Sequence, residues 1–240
     1  MRGFFGFGLI LQIAAIVHWS RRRPASYWLW IIIMFGGLGA LAYFLVEGDF
    51  REVTHTFKGP SRRKRIRALQ VLVLDNPSAG NYEELGELLL EERKWKEARE
   101  AYDRALAVRT DSIDPFYRRA IAEFELGEYE GVVRDLEHVV KVDPKYGYWN
   151  AYCLYAKSLA KTGRPQEAME SFEKLAEKST ASETMYEAAA FYADNGREGE
   201  AREIVQRLVA RAVTMPAYQK RRDRPWIRKG KALERKMGKA

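Results

Sequence analysis

The chain has 240 residues, 47% hydrophobic and 31% charged, which supports one compact domain with appendages. Its single cysteine, Cys153, excludes an internal disulfide and any site built from several thiolates, and the scattered His18, His55 and His138 argue against a histidine metal centre. The formal charge of +8 is unevenly placed: residues 1–67 hold eleven Lys/Arg against three acids, 68–217 twenty against twenty-eight, and 218–240 ten against two.

Two apolar stretches open the chain, residues 4–19 and 27–46, separated by the basic loop SRRRPAS. The second runs for twenty residues without a charge. With Tyr27, Trp28 and Trp30 at one end and Tyr43 near the other, it reads as a helix crossing about 30 Å of hydrocarbon between aromatic belts. The first is sixteen residues with Gln12 inside, reaching about 24 Å as a helix. A cleaved signal peptide is its alternative reading, but Arg2 stands alone ahead of it and no small-x-small cleavage site precedes Ser20. Together the stretches are expected to form a two-helix transmembrane hairpin over 1–47. The basic loop, the Trp-rich entry and Gly36-Gly37-Leu38-Gly39 followed by Tyr43 resemble the N-terminal region of bacterial cardiolipin synthases and related phospholipase D-like proteins. That chemistry needs a nucleophilic His with Lys two residues on, in paired copies. Here His55 is followed by Thr56 and Phe57 and His138 by Val139 and Val140, so only the anchor is shared and no catalytic residue is expected.

Residues 48–60 read as a linker. The segment 61–78 holds Ile66, Leu69 and Val73 at helical spacing and reads as a half repeat capping the front end of a longer helical array. Its basic start, Arg62, Arg63, Lys64, Arg65 and Arg67, lies close after the apolar segment and is a candidate contact with an anionic membrane surface.

From residue 79 the turns RKWKEA (93–98), GEYEGV (127–132), GRPQEA (163–168) and GREGEA (196–201) recur. They end on Ala98, Val132, Ala168 and Ala201, spaced by 34, 36 and 33 residues, a helical-solenoid period. Sixteen residues before each stands Tyr82, Phe116, Tyr152 or Met185, with Gly86, Ala120, Ala156 or Ala189 four positions on, marking a first helix. The second helices carry apolar residues at i, i+4, i+7 and i+8: Ala98, Tyr102, Ala105, Leu106; Val132, Leu136, Val139, Val140; Ala168, Phe172, Leu175, Ala176; Ala201, Val205, Leu208, Val209. Leu85-Gly86, Ala98, Tyr102 and Ala105 in unit one, Ala120, Gly127, Tyr129 and Asp143-Pro144 in unit two, and Gly163, Ala168 and Phe172 in unit three resemble the tetratricopeptide repeat pattern. Arg119 departs from it where an apolar residue belongs, Gly147-Tyr148 look inserted, and unit four lacks an aromatic in its second helix. The fold class expected is all-α, a tetratricopeptide-type solenoid of about four helix pairs over 79–212 with capping helices, behind the hairpin.

The resemblance implies that partners lie in the groove of first helices. Candidate contacts are Glu83, Glu84, Glu87 and Glu91 in unit one; Tyr117, Arg118, Ile121 and Glu125 in unit two; Asn150, Lys157 and Lys161 in unit three; and Glu183, Tyr186, Glu187 and Asp194 in unit four. The Lys and Asn residues of a two-carboxylate clamp are missing from units one and two. The reading is a non-catalytic scaffold, without cofactor or small-molecule substrate, that holds a protein or peptide near an inner membrane. Its repeat domain is expected in the cytoplasm, and both termini inside, on flanking charge. An accessory role in phospholipid metabolism or envelope assembly is the alternative, and an acidic repeat block argues against nucleic acid. The basic tail, 213–240, places Trp226, Gly230, Leu233 and Met237 on one face of a helix opened by Pro225. It reads as a cap, a membrane-surface helix or an occupant of the acidic groove.

Overall fold

The computed structural model describes residues 2–22, 26–46, 59–108 and 111–238. Most of the expected 48–60 linker lies outside them. Among the described residues the secondary structure is helical throughout, and the chain divides into two compact units, Met1–Arg65 and Ile66–Ala240.

In the first unit α1 (Arg2–Arg22) packs against α2 (Tyr27–Val46). Contrary to the expectation of one straight spanning helix, α2 breaks at Gly36, whose φ of 55° and ψ of −130° leave the helical region. Fifteen residues of straight helix would separate Trp28 and Tyr43 by about 22 Å. Their rings lie 5.6 Å apart, so the two arms of α2 fold back on each other. Glycine is required here twice over. A Cβ at Gly39 would fall 2.2 Å from the Ile31 carbonyl oxygen, and one at Gly37 would fall 2.9 Å from Gly8 Cα on α1. Ala15, Trp28, Ile32, Ala40, Tyr43 and Phe44 form the buried centre of this unit.

Helix α3 (Gly59–Asp75) runs into the second unit, where Ile66, Leu69 and Val73 are buried with Leu85 and Leu89. Four antiparallel helix pairs come after it: α4 (Ala79–Glu91) with α5 (Trp95–Ala107), α6 (Asp114–Leu126) with α7 (Tyr129–Val142), α8 (Asn150–Lys161) with α9 (Pro165–Lys178), and α10 (Ser182–Asp194) with α11 (Glu198–Thr214). Every i, i+4 and i+7 position of the second-helix stripes is buried, from Ala98, Tyr102 and Ala105 to Ala201, Val205 and Leu208. Small residues at the crossings let the pairs close: a Cβ at Gly86 would meet the Tyr102 ring at 2.7 Å.

The repeated turn has one physical form. Lys94, Glu128, Arg164 and Arg197 donate their backbone N–H to the carbonyls of Leu89, Glu123, Leu159 and Tyr192 at 2.9, 2.9, 3.0 and 2.9 Å. The residue before each donor is left-handed, namely Arg93 (φ 58°), Gly127 (79°), Gly163 (74°) and Gly196 (75°). This is a Schellman closure of the first helix, a conformation glycine adopts freely and arginine does not.

Unit two departs from its neighbours inside. Where units one, three and four have Leu85, Tyr155 and Ala188, it has Arg119; where they have Leu89, Leu159 and Tyr192, it has Glu123; where they have Ala101, Ser171 and Ile204, it has Asp135. Arg119 donates to both oxygens of Asp135 at 2.7 Å and to Asp103 of unit one at 2.8 Å. Glu123 is buried against Gly131, where a Cβ would clash at 2.7 Å. The misfit residue in the repeat pattern is thus one member of a polar cluster that ties α6 to α7 and α5.

The tail forms α12 (Ala217–Met237), which packs on α10 and α11. Ile227 and Met237 join the core containing Val205 and Leu208, with Leu233 packed against it. Pro225, expected to open this helix, lies inside it. Arg221, whose carbonyl it deprives of a donor, is exposed together with Pro225, so water can take that acceptor.

Candidate functional site

The first helices α4, α6, α8 and α10 carry the candidate contact residues. The insertion expected before α8 is present and left-handed: Gly147, Tyr148 and Trp149 have φ of 60°, 58° and 74°. It brings Gly147 beside the Tyr117 hydroxyl, and Tyr146 packs edge-on against Tyr117 at 5.2 Å while donating its hydroxyl to Asp114. Tyr117 is thereby fixed on α6, facing α8.

Tyr117, Ile121, Asn150, Lys157 and Glu187 meet around a cavity of about 250 Å³, completed by Phe124, Glu125, Cys153, Leu154 and Glu183. Lys157 Nζ lies 3.2 Å from Glu187 Oε2 and 5.5 Å from the centre of the Phe124 ring. Burial, then the charge of Glu187, pushes the Glu183 carboxyl above its ordinary range. Burial also raises the Tyr117 phenol. Two carboxylates beyond the one that Lys157 engages, with two aromatic faces, leave this cavity suited to an added cationic side chain.

Other expected residues lie apart from it. Arg118 points to Asp114 (3.6 Å) and Glu87 (3.7 Å), linking α6 to α4. Burial and then Asp114 raise the Glu83 carboxyl. Glu84 and Lys161 are exposed and line none of the cavities described. Tyr186 faces the tail, with its ring 5.7 Å from Trp226 and Lys229 Nζ 5.4 Å above it. Asn150 and Glu183 continue into a wider cleft of about 1020 Å³ between the 145–150 turn, the start of α10 and α12. Ser182 and Arg222 hold the buried Asp223 at its floor. Sequence reasoning missed Phe124 and Leu154, whose apolar character gave no sign that they face the groove. It also missed Tyr146, which the inserted turn delivers from outside the repeat pattern.

Among the described residues no group of three His, Cys, Asp or Glu side chains has metal-binding geometry. Cys153 is buried, and burial raises its thiol to about 12, the opposite of an activated nucleophile.

Among solved structures, MamA superposes with a TM-score of 0.53 at 18% identity, over 81% of this chain and 98% of that one. A MamA double mutant gives 0.58 at 15% identity, over 70% and 96%. YrrB, described as a TPR protein with an unusual peptide-binding site, gives 0.53 at 20% identity, over 71% and 88%. The family model described as tetratricopeptide repeat matches residues 150–177, the α8–α9 pair. The fold is a tetratricopeptide-type solenoid. Sequence relatives carry the same tetratricopeptide description. Small glutamine-rich tetratricopeptide repeat-containing protein 2 of Mycosarcoma maydis is 30% identical over 100 residues, covering 42% of this chain and 28% of that protein. A TPR repeat-containing protein of Rhizobium etli is 28% identical over 86 residues, covering 36% and 41%. The chain spans less than half the length of either relative.

Proposed function

We propose that this chain is a membrane-anchored, non-catalytic scaffold whose concave groove holds a segment of a partner protein carrying a lysine or arginine anchor. The observation that supports it most is the convergence of Tyr117, Ile121 and Phe124 with Glu125, Glu183 and Glu187 around one open cavity. Aromatic anchors and desolvated charges are what interface hot spots are made of. Lys157, already seated over Phe124 and against Glu187, supports a cationic group as the anchor.

The anchor reading draws on the apolar segment Tyr27–Phe44, which passes for a membrane segment by composition although its break at Gly36 folds it back on itself. The basic start of α3, from Arg62 to Arg67, suits an anionic lipid surface. On this reading the protein sits in a bacterial inner membrane with its repeat unit in the cytoplasm. The matched family model lies wholly within the repeat unit, so the likeness to cardiolipin synthases rests on the hairpin sequence alone.

Photo-crosslinkers at Tyr117 and Lys157, on the groove, should trap one common protein in native membranes, whereas a crosslinker at Glu137 on α7 should not. Glu183→Lys should abolish that adduct with the helical signal unchanged. Adducts formed only from Glu137, or phospholipid turnover by the purified chain alone, would sink the proposal.

A further inference from the structure

The geometry of the first unit points to a re-entrant anchor, in which α1 crosses the bilayer once while α2 enters and leaves through one leaflet. The two ends of α1 then face opposite sides, while both ends of α2 face the same one. This rests on the membrane reading above and changes its topology.

Three contacts fix the path of α2. At its two ends the Trp28 and Tyr43 rings meet at 5.6 Å. Nearer the break, Gly39 approaches the Ile31 carbonyl so closely that only glycine fits. The break itself, at Gly36, has a positive φ. Each arm is about nine residues, or about 13 Å, less than half of the roughly 30 Å hydrocarbon core. Helix α1 registers the depth. Gly8 touches Gly37 beside the tip, Gln12 meets Ile32, and His18 Nδ1 lies 2.8 Å from the Tyr43 hydroxyl. From Gly8 to Arg2, α1 continues about 9 Å past the tip; its apolar stretch, residues 4–19, reaches about 24 Å, with Arg2 ahead of it and Arg21 behind.

Broken helices survive at membrane depth only where the freed backbone groups find partners inside the protein. Gln12 answers that need. Ile32 is in the last turn of the first arm, where carbonyls lose their i+4 donors, and Gln12 Nε2 donates to it at 3.1 Å. The one amide in an otherwise apolar stretch thereby has a structural task. The surface left to lipid is apolar on both helices, including Leu9, Ile10 and Ile13 on α1 and Met34, Phe35 and Leu38 around the tip.

A spanning hairpin would divide the basic residues, with Arg21, Arg22 and Arg23 on one side and Arg2 with the seven from Arg51 to Arg67 on the other. In the re-entrant path the three loop arginines join those seven, ten against Arg2 alone. All ten then lie on the cytoplasmic side, the arrangement the positive-inside rule favours. Trp19, Tyr27, Trp28, Trp30 and Tyr43 likewise gather at one interface.

Single cysteines in the full-length chain, on a Cys153→Ala background, test this with a membrane-impermeant maleimide. A cysteine inserted after Met1 should react in intact spheroplasts. Ser26→Cys and Gly48→Cys should react only in inverted vesicles. Labelling of positions 26 and 48 from opposite sides overturns the re-entrant path, and labelling of both from outside overturns the orientation. Release of the protein by alkaline carbonate would overturn the membrane reading itself.

Discussion

Replacing Glu123 with glutamine should stabilise the repeat unit at neutral pH and leave it nearly unchanged in acid. The carboxyl occupies a slot that the other units fill with Leu89, Leu159 and Tyr192, and it is 4% exposed. Burial first, and then Asp135, raise its pKa from 4.5 to about 7, against the lowering pull of Arg119 and Arg134; Glu128 adds a smaller upward push. Because the folded value lies above the unfolded one, the folded chain holds the proton more tightly. Stability from this group is therefore complete below pH 4.5 and is lost as pH rises toward 7. The gap of about 2.5, at 1.36 kcal/mol for each, amounts to about 3 kcal/mol. An uncharged isostere escapes that loss. For a unit of this size each kcal/mol moves Tm by about 2–4 °C. The difference between variant and parent should thus be near zero at pH 4 and roughly 6–12 °C at pH 8. Circular-dichroism melts of residues 59–240 at the two pH values provide the comparison, with titration of all other groups common to both proteins. Equal melts at pH 8, or a less stable variant, would refute the burial argument.

Ala168→Asp should cost about 3–5 kcal/mol, since Ala168 is fully buried in an apolar cluster with Val133 and Leu159; chemical denaturation would measure it. Arg119→Leu should lose about 3–5 kcal/mol by leaving Asp135 buried with only the exposed Arg134 near it, and adding Asp135→Ala, which gives unit two the residues of unit one, should recover most of that in the same assay. Arg93→Gly should gain up to about 1 kcal/mol, because it relieves the one non-glycine left-handed closure of the four; no gain would mean that the arginine side chain contributes more than its backbone loses. Deleting residues 224–240 should lower the melting temperature and raise binding of a hydrophobic dye, since Ile227 and Met237 leave the core of α11; an unchanged melt would remove α12 as a cap.

The repeat register was legible because each side chain that sets it follows a helical period, and Ala98, Val132, Ala168 and Ala201 all proved fully buried. Arg119 was visible as a misfit, but its meaning was not. Its partner Asp135 lies sixteen residues away on another helix, where a carboxylate in a sequence reads as a solvated face. The fold-back at Gly36 was hidden by the same logic. Glycines in an apolar stretch signal close helix packing whether the neighbour is another helix or the second half of the same one. In the groove, the first-helix positions named candidate residues, but which of them line the cavity, Tyr117, Ile121, Asn150, Lys157 and Glu187 rather than Glu84 and Lys161, depends on how the inserted turn at 147–149 sets α8 against α6. No periodicity encodes that angle.

The solitary thiol gives the groove a built-in clock. Cys153 is 5% exposed, lines the cavity between α6, α8 and α10, and carries a proton that burial holds to about 12. Burial and the held proton both slow a disulfide-forming reagent, and the rate of modification rises as the helices around the thiol part. A partner seated between Tyr117 and Glu183 would lower that rate in proportion to its occupancy. The native chain can thus report, without label or tag, both how often its groove breathes and when the groove is full.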